Sequence, residues 1–211
     1  MRIILLGVPG AGKGTQAEII SKRLSIPTIS TGNVLRAAVQ AETPLGLQVK
    51  DLLARGDLVS DQIILDLVRD RVREADCEKG YILDGVPRTV KQAEGLEELG
   101  VQIDVCLFFD VPDVAVIERL SGRRSCSCGS TFHVTANPPK VADVCDVCGS
   151  ALVTRADDEA ETVGRRLDVF REQTAPLIGF YEARGKLKTV PSSGSVVETT
   201  AEVFSALGVS L

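Results

Sequence analysis

The sequence predicts an α/β fold in which helices cover both faces of a doubly wound parallel sheet. Short apolar segments alternate along the chain with longer stretches whose apolar residues recur at helical spacing. The first apolar segment, Arg2 to Leu6, runs directly into a glycine-rich turn that a helical pattern follows. Because alternating strands and helices produce parallel strands, we expect ligands at the carboxyl ends of those strands.

Composition and charge exclude several classes of protein. The chain has 211 residues, 44% of them hydrophobic and 25% charged, and a net charge of −5. An acidic balance argues against a general binder of nucleic acid or of anionic membranes, because such proteins need surplus cations. No apolar run reaches the length of a membrane span. The first strand begins by Ile3, which leaves no room for a leader peptide, so the expected location is the cytoplasm.

Residues 7–15 follow the phosphate-loop pattern G-x-x-x-x-G-K-[ST] from Gly7 to Lys13, with Gly14 standing between the lysine and the hydroxyl residue Thr15. Glycines let the main chain curl with its N–H groups inward, and the following helix directs its positive end at the same anion. Lys13 would add a charge for the β and γ phosphates, and Thr15 would offer a hydroxyl to Mg²⁺. The alternative is a plain glycine turn. The position of this motif directly behind a strand favours a sheet of the P-loop NTPase type.

Four helices and two more strands are predicted between this loop and residue 84. Pro27 places one strand at a sheet edge or a strand start. One helix opens after Thr43 and Pro44 and closes at Gly56. The predicted helices are 15–24, 31–39, 45–54 and 61–72, and the predicted strands are 26–29 and 81–84.

The rest of the chain adds helices, two strands and one segment of different amino-acid composition. Residues 105–110 form an almost continuous apolar run, typical of a strand buried on both faces, with Cys106 as a small buried hydrophobe. Residues 122–158 are rich in Cys, Gly, Ser and Pro and indicate a small inserted module. The other predicted elements are helices 89–99, 112–120, 159–182 (interrupted near Pro176) and 196–207, and strand 187–190.

Asp84 stands at the end of a predicted strand, where sheets of this kind place their active groups. Beside a phosphate loop, a carboxylate at this position is the expected partner of Mg²⁺, directly or through a water. The alternative is an aspartate that caps the following turn. The position at the strand end favours the Mg²⁺ role.

Arginines are the second signal of phosphate chemistry, because their planar forks suit phosphate oxygens. A single arginine is more often a surface or salt-bridged residue. Two adjacent pairs lie in or beside the inserted module: Arg123 with Arg124, and Arg165 with Arg166. These pairs fit a clamp that closes over a polyphosphate. Eight arginines flank predicted element ends: Arg36, Arg88, Arg119, Arg123, Arg124, Arg155, Arg165 and Arg166.

Four clustered cysteines predict a metal site within the inserted module. Cys126 and Cys128 form one pair, Cys145 and Cys148 form a second pair, and sixteen residues lie between the two pairs. This pattern resembles a structural zinc site with four cysteine ligands. The first pair is one residue shorter than usual, which leaves His133 as a substitute ligand, or no metal at all, as alternatives. A zinc finger that binds nucleic acid is a poor alternative, because few cations lie between the pairs.

Taken together, these motifs resemble the adenylate kinases, and more closely the bacterial type whose long lid carries zinc. The resemblance covers essentially the whole chain in the right order and spacing. Val86 stands where the family usually has phenylalanine. The residues that carry the resemblance are 7–16, Thr31, Arg36, Leu58, Val59, 84–89, Gln92, 122–124 and 154–158.

The resemblance implies reversible transfer of a phosphoryl group from MgATP to AMP, giving two ADP. It implies that ATP is bound by Gly10, Ala11, Gly12, Lys13, Gly14, Thr15, Arg119, Arg123 and Val196. It implies that AMP is bound by Thr31, Arg36, Asp57, Leu58, Val59, Gly85, Arg88 and Gln92. The residues expected to act on the transferring group are Lys13, Asp84, Arg88, Arg123, Arg155 and Arg166.

The resemblance also implies a monomer with three parts. These are a P-loop core of residues 1–29, 60–121 and 159–211, an AMP-binding subdomain of residues 30–59, and a lid of residues 122–158. The lid would hold a structural Zn²⁺ on Cys126, Cys128, Cys145 and Cys148. Two alternatives stay open: a kinase of another nucleoside monophosphate or with GTP as donor, and a nucleotide-binding switch or zinc module without turnover.

Overall fold

A computed structural model describes residues 1–209 of the chain. Its centre is a sheet of five parallel strands whose order is β2-β3-β1-β4-β7. The predicted doubly wound sheet is therefore confirmed. The strands are β1 (Arg2–Gly7), β2 (Thr28–Ser30), β3 (Tyr81–Asp84), β4 (Val105–Asp110) and β7 (Leu187–Pro191).

Helices connect these strands close to the predicted positions. In the described part of the chain, none of them is long and apolar enough to cross a membrane. Short 3₁₀ turns occur at Ala75–Cys77 and Ala156–Asp158. The helices are α1 (Lys13–Leu24), α2 (Thr31–Gln40), α3 (Pro44–Arg55), α4 (Asp61–Arg71), α5 (Val90–Glu98), α6 (Asp113–Ser121), α7 (Ala160–Val169), α8 (Pro176–Glu182) and α9 (Val196–Leu207).

The strand predicted over residues 26–29 is shorter than expected. It begins at Thr28, and β2 lies at the edge of the sheet, as Pro27 indicated. The Pro27 carbonyl still accepts a hydrogen bond of 2.9 Å from the Ile82 N–H. Proline itself has no N–H to donate, so the ladder can include its carbonyl but not its nitrogen.

Apolar side chains alternate along the strands and divide between two cores, one on each face of the sheet. Ile4 and Leu83 belong to the core beside α2–α5 and α8, while Ile3 and Leu107 belong to the core beside α1, α6, α7 and α9. Cys106 is fully buried, which confirms its predicted role as a small core hydrophobe. The carboxyl ends of the strands stay free to build a site.

Residues 122–158 form a separate unit around a two-stranded antiparallel sheet. Its strands are β5 (Arg123–Ser125) and β6 (Thr131–His133), and Arg123 pairs with His133. Four buried residues form its small core: Cys126, Phe132, Cys145 and Leu152. We call residues 122–158 the hairpin unit.

The helix predicted over residues 159–182 is interrupted before Pro176. A wide π-helical turn, Phe170–Thr174, separates α7 from α8, and the Ala175 N–H donates to the Phe170 carbonyl over 2.8 Å. Pro176 has no N–H, and its ring would clash with the carbonyl four residues earlier. The wide turn absorbs this conflict without breaking the path of the helix.

Candidate active site

The phosphate loop between β1 and α1 has the backbone that its glycines predict. Gly10 and Gly12 have φ angles of +79° and +91°, a region that other residues rarely adopt. A Cβ on Gly10 would lie 3.0 Å from Leu120 Cγ. The Lys13 ammonium folds back and donates to the carbonyls of Gly7 (2.7 Å) and Val8 (2.8 Å). The loop is therefore curled around its own lysine.

This loop lines one end of a cavity of about 770 Å³, a volume typical of small-molecule sites. The walls come from the ends of the parallel strands, from α2 and from the hairpin unit. A second cavity of about 50 Å³ lies beside α2 and α3 and shares Arg36, Arg88 and Arg166 with the first. The two cavities thus meet at a group of arginines.

All residues expected to contact nucleotide line one of these cavities, although their assignment to ATP or AMP stays a prediction. The larger cavity is lined by Gly10, Ala11, Gly12, Lys13, Gly14, Thr15, Asp84, Arg119, Arg123, Arg155 and Val196. The smaller cavity is lined by Thr31, Asp57, Val59 and Gln92. Both are lined by Arg36, Leu58, Gly85, Arg88 and Arg166.

Two acidic residues hold the arginines that come from the hairpin unit and α7. Asp158 is fully buried and forms ion pairs with Arg123 and, over 3.1 Å, with Arg166. Arg166 also contacts the Asp157 carboxylate over 3.1 Å. Asp157 and Asp158 thus supply the negative charge that balances these arginines without nucleotide.

Burial and mutual repulsion shift the pKa values of this group. Burial, with Arg166 next, lowers the pKa of Arg88 to about 10, and burial with Arg123 lowers that of Arg155 to about 9. Burial also lowers the pKa of Lys13 to about 7, although Asp84 opposes the shift. Burial raises the pKa of Asp157, but Arg166 and the other arginines outweigh it and hold that pKa below its usual value. The excess of positive groups in the cavity therefore favours a negatively charged ligand.

The main chain of Arg88 is fixed by buried side chains. Its N–H donates to Gln92 Oε1 over 2.7 Å, and Gln92 Nε2 donates to Asp61 over 2.9 Å. Asp61 also accepts a bond of 3.1 Å from the Thr89 hydroxyl. These bonds fix the orientation of the Gln92 amide and leave one of its N–H groups and one lone pair for a ligand.

The cysteine sulfurs of the hairpin unit converge. The distance between the Sγ atoms is 3.3 Å for Cys126 and Cys148 and 3.7 Å for Cys128 and Cys145, and all four lie within 4.8 Å of one another. Zinc with four sulfurs at about 2.3 Å requires S···S distances of about 3.8 Å. A disulfide requires about 2.05 Å. The four thiols are free, and their arrangement fits a tetrahedral metal ion.

His133 does not belong to this cysteine group. Its Nδ1 accepts hydrogen bonds from the N–H groups of Thr135 (3.2 Å) and Ala136 (3.1 Å). Its Nε2 is buried with no hydrogen-bond partner among the described residues, and a Cβ on Gly122 would lie 2.3 Å from it. The structure therefore favours four cysteine ligands over three cysteines and His133.

Comparison with known proteins agrees with this site. A protein-family model described as adenylate kinase matches residues 5–186. The chain belongs to the adenylate kinase family. The proteins named adenylate kinase from Ruminiclostridium cellulolyticum and Caldicellulosiruptor bescii are 51% and 52% identical to it, over 99% of this chain and 100% of each relative. That of Clostridium kluyveri is 47% identical, over 99% of this chain and 98% of the relative. This adenylate kinase is thus a phosphotransferase.

Asp57 and Arg119 use their side chains within the protein. Arg119 Nη2 donates to the carbonyl of Ser192 over 2.6 Å. The Asp57 carboxylate pairs with Arg55 (3.1 Å) and Arg165 (2.6 Å). Arg165, predicted as part of the clamp, lies instead in this outer ion pair.

Several residues of the cavity were not predicted from the sequence. Ser192 is almost fully buried, and its hydroxyl donates to the Ala11 carbonyl of the phosphate loop over 2.9 Å. Asn33 of α2 lies against the hairpin unit, since a Cβ on Gly129 would be 3.3 Å from Asn33 Nδ2. Both are single polar residues without a motif, so no spacing rule could have found them.

Proposed function

We propose that this adenylate kinase transfers the γ-phosphoryl group of MgATP to AMP, reversibly giving two ADP. The observation that supports this most is the meeting of the two cavities at Arg36, Arg88 and Arg166. A phosphate loop borders only the larger cavity, which suits a donor triphosphate. The smaller cavity, beside α2 and α3, marks the side from which an acceptor monophosphate would bring its phosphate to these arginines.

On the donor side, the main-chain N–H groups of residues 10–15 bind the β and γ phosphates, and Lys13 leaves its carbonyl partners to meet them. Arg119 and the main chain near Val196 border the nucleoside. Mg²⁺, bound with ATP, neutralises phosphate charge and orients the triphosphate. Thr15 and Asp84, an alcohol and a carboxylate that line the donor cavity, are the hard oxygen donors that this ion prefers.

On the acceptor side, Gln92 distinguishes adenine from the other bases. Its free N–H and lone pair match the acceptor and donor that adenine presents side by side. Thr31 and the main chain of Leu58, Val59 and Gly85 border the same cavity. Arg36 and Arg88 hold the phosphate of AMP.

Transfer proceeds by attack of an AMP phosphate oxygen on the γ phosphorus, as the bond to the β–γ bridging oxygen breaks. The acceptor is already an oxyanion, so the protein needs no covalent nucleophile and no base. Arg123 and Arg166 exchange Asp157 and Asp158 for the phosphoryl oxygens, and Arg155, whose Nε donates to the Ser125 hydroxyl, joins them in stabilising the charge that spreads over those oxygens. Catalysis therefore comes from holding the two nucleotides in line and from stabilising the negative charge of the transferring group.

Three parts of the chain divide this work. Residues 1–29, 60–121 and 159–211 form the core (positions 210 and 211 lie outside the described residues), residues 30–59 bind AMP, and residues 122–158 form a lid that excludes water. Zn²⁺ on the four cysteines supports the fold of the lid and takes no part in the reaction. The two cavities are lined without any residue from a second chain, so the mechanism needs no partner subunit, and we propose that the protein acts as a monomer.

The test is ADP production from MgATP with AMP, UMP, CMP or GMP as the single acceptor. We expect ADP with AMP and almost none with the others. Preference for another monophosphate would contradict the role of Gln92 and keep the phosphate chemistry. A folded protein that forms no ADP with any of the four monophosphates would contradict phosphoryl transfer and favour a nucleotide-binding module without turnover.

A further inference from the structure

We propose that Thr174 is a positioning residue for Arg88. Its hydroxyl fixes the main chain of the arginine so that the guanidinium holds the AMP phosphate in line with the transferring phosphoryl group. The inference rests on the proposed function and deepens it, because it assigns a role to a residue that no motif identifies. It also gives a purpose to the wide turn between α7 and α8.

The contact joins distant parts of the chain. The Thr174 hydroxyl donates to the Arg88 carbonyl over 2.8 Å, across 86 residues, and Thr174 is only 6% exposed. Gln92 accepts from the N–H of the same arginine over 2.7 Å, and Arg88 Nε donates to the Gly85 carbonyl over 2.9 Å. The N–H and the carbonyl of Arg88 are thus both held by buried side chains, and its guanidinium lines the cavity.

The wide turn explains how Thr174 reaches this position. Arg166, Phe170 and Thr174 all line the cavity. In an α-helix that advances about 100° per residue, Thr174 would point about 80° away from Arg166. The π-helical turn advances less per residue and returns Thr174 to the face of Arg166. Pro176, which prevents a regular α-helix here, therefore decides where the hydroxyl points.

The contact has a physical consequence for the reaction. An arginine side chain has many rotamers, so its backbone has to be fixed before its fork can be placed. A misplacement of about 1 Å in a catalytic site can cost about 100-fold in rate. Loss of the hydroxyl would also leave the buried Arg88 carbonyl without its donor, which favours movement of that peptide. We therefore expect Thr174 to affect turnover through Arg88.

The experiment compares Thr174→Val, which keeps the shape and removes the hydroxyl, with Thr174→Ser, which keeps the hydroxyl. Each is made in the parent and in an Arg88→Lys background, and kcat, KM for AMP and the thermal midpoint are measured. Tyr81→Phe is the matched control, because it also removes a buried hydroxyl bond to a carbonyl (2.7 Å, to Gln102) far from the cavity. If Thr174→Val does not fold, Thr174→Ala is compared with Thr174→Ser below the lower of their midpoints.

We expect Thr174→Val to lower kcat about 10-fold and Thr174→Ser to stay within about twofold of the parent. In the Arg88→Lys background, Thr174→Val should lower kcat by less than about twofold. The proposal would be overturned if Thr174→Val lowered kcat equally in both backgrounds or did not lower it in the parent. It would also be overturned if Tyr81→Phe lowered kcat by the same factor. If the parent makes no ADP, the proposed function fails, and the same cycle read from AMP affinity by calorimetry still decides the inference.

Discussion

Lys13 shows how the site changes the chemistry of a single residue. Burial lowers its pKa to about 7, and the nearby Arg88, Arg166 and Arg123 outnumber the one opposing carboxylate of Asp84. Without nucleotide, this burial lowers the stability of the folded protein at acidic and neutral pH. That loss diminishes as the pH rises from about 7 towards the ordinary lysine value of 10.5.

The first prediction concerns protons taken up with ATP. The phosphates of ATP bring negative charge to Lys13 and raise its pKa, so binding at about pH 8 should take up close to one proton. Calorimetry in buffers of different ionisation enthalpy measures this number. Lys13→Met should abolish the uptake. Uptake that survives the substitution would show that another group titrates.

The second prediction concerns the fork geometry of Arg166. Its Nη1 alone lies 3.1 Å from both Asp157 and Asp158, so the other nitrogens of the fork are left for phosphate oxygens, and the single nitrogen of lysine cannot serve both sets of contacts. We expect Arg166→Lys to lower kcat by about 10²- to 10³-fold. The matched control is Arg184→Lys, because Arg184 pairs with Glu97 over 2.7 Å at the surface. A loss of similar size in the control would contradict a specific role.

At the scale of elements, the hairpin unit has too small a core to hold itself together. Four residues form that core, and two of them are cysteines of the cluster. Such units fold through their metal, because the binding free energy contributes to folding. The cluster is therefore expected to act on stability before it acts on rate.

The third prediction concerns removal of the metal. We expect one Zn²⁺ per chain, and a lower thermal midpoint with a chelator or with Cys145→Ser. Below that midpoint, ADP formation should persist, since the proposed metal would stiffen the lid without taking part in the reaction. Cys77→Ser is the control, because Cys77 is equally buried but lies outside the cluster. Loss of all activity in a still-folded, metal-free protein would indicate a catalytic metal.

The elements show which parts of the fold the sequence could predict. Strand β3 and helix α9 have the predicted bounds, because capping residues and apolar spacing are local signals. The phosphate loop was found for the same reason. Pro176 predicted an interruption, but the width of the turn depends on how α7 and α8 pack, which no local pattern encodes.

The polar contacts of the site were harder to predict. Asp61 is the first residue of α4, yet its carboxylate accepts hydrogen bonds from Thr89 and Gln92, far along the chain. Thr174 and Ser192 contact Arg88 and Ala11 over even longer separations. Such contacts depend on how distant elements meet. Motifs therefore predicted the residues expected to meet the ligand but missed the residues that hold them.

At the scale of the whole molecule, charge is distributed unevenly. The chain carries a net charge of −5, yet the cavity walls contain Lys13 and the arginines that Asp157 and Asp158 balance. A phosphate ligand therefore finds a concentrated group of positive partners inside the cavity. The hairpin unit, which lies against Asn33 of α2, covers this interior and would exclude water as the competing acceptor.

The most direct measurement of the central claim is the product balance of the reaction. ATP and AMP are mixed with the protein and Mg²⁺, and nucleotides and free phosphate are followed together by phosphorus NMR. The account predicts two ADP for each AMP consumed, almost no free phosphate, and no consumption of ATP alone. Release of free phosphate at a rate close to that of ADP formation would contradict a covered site in which one phosphate is passed directly to another.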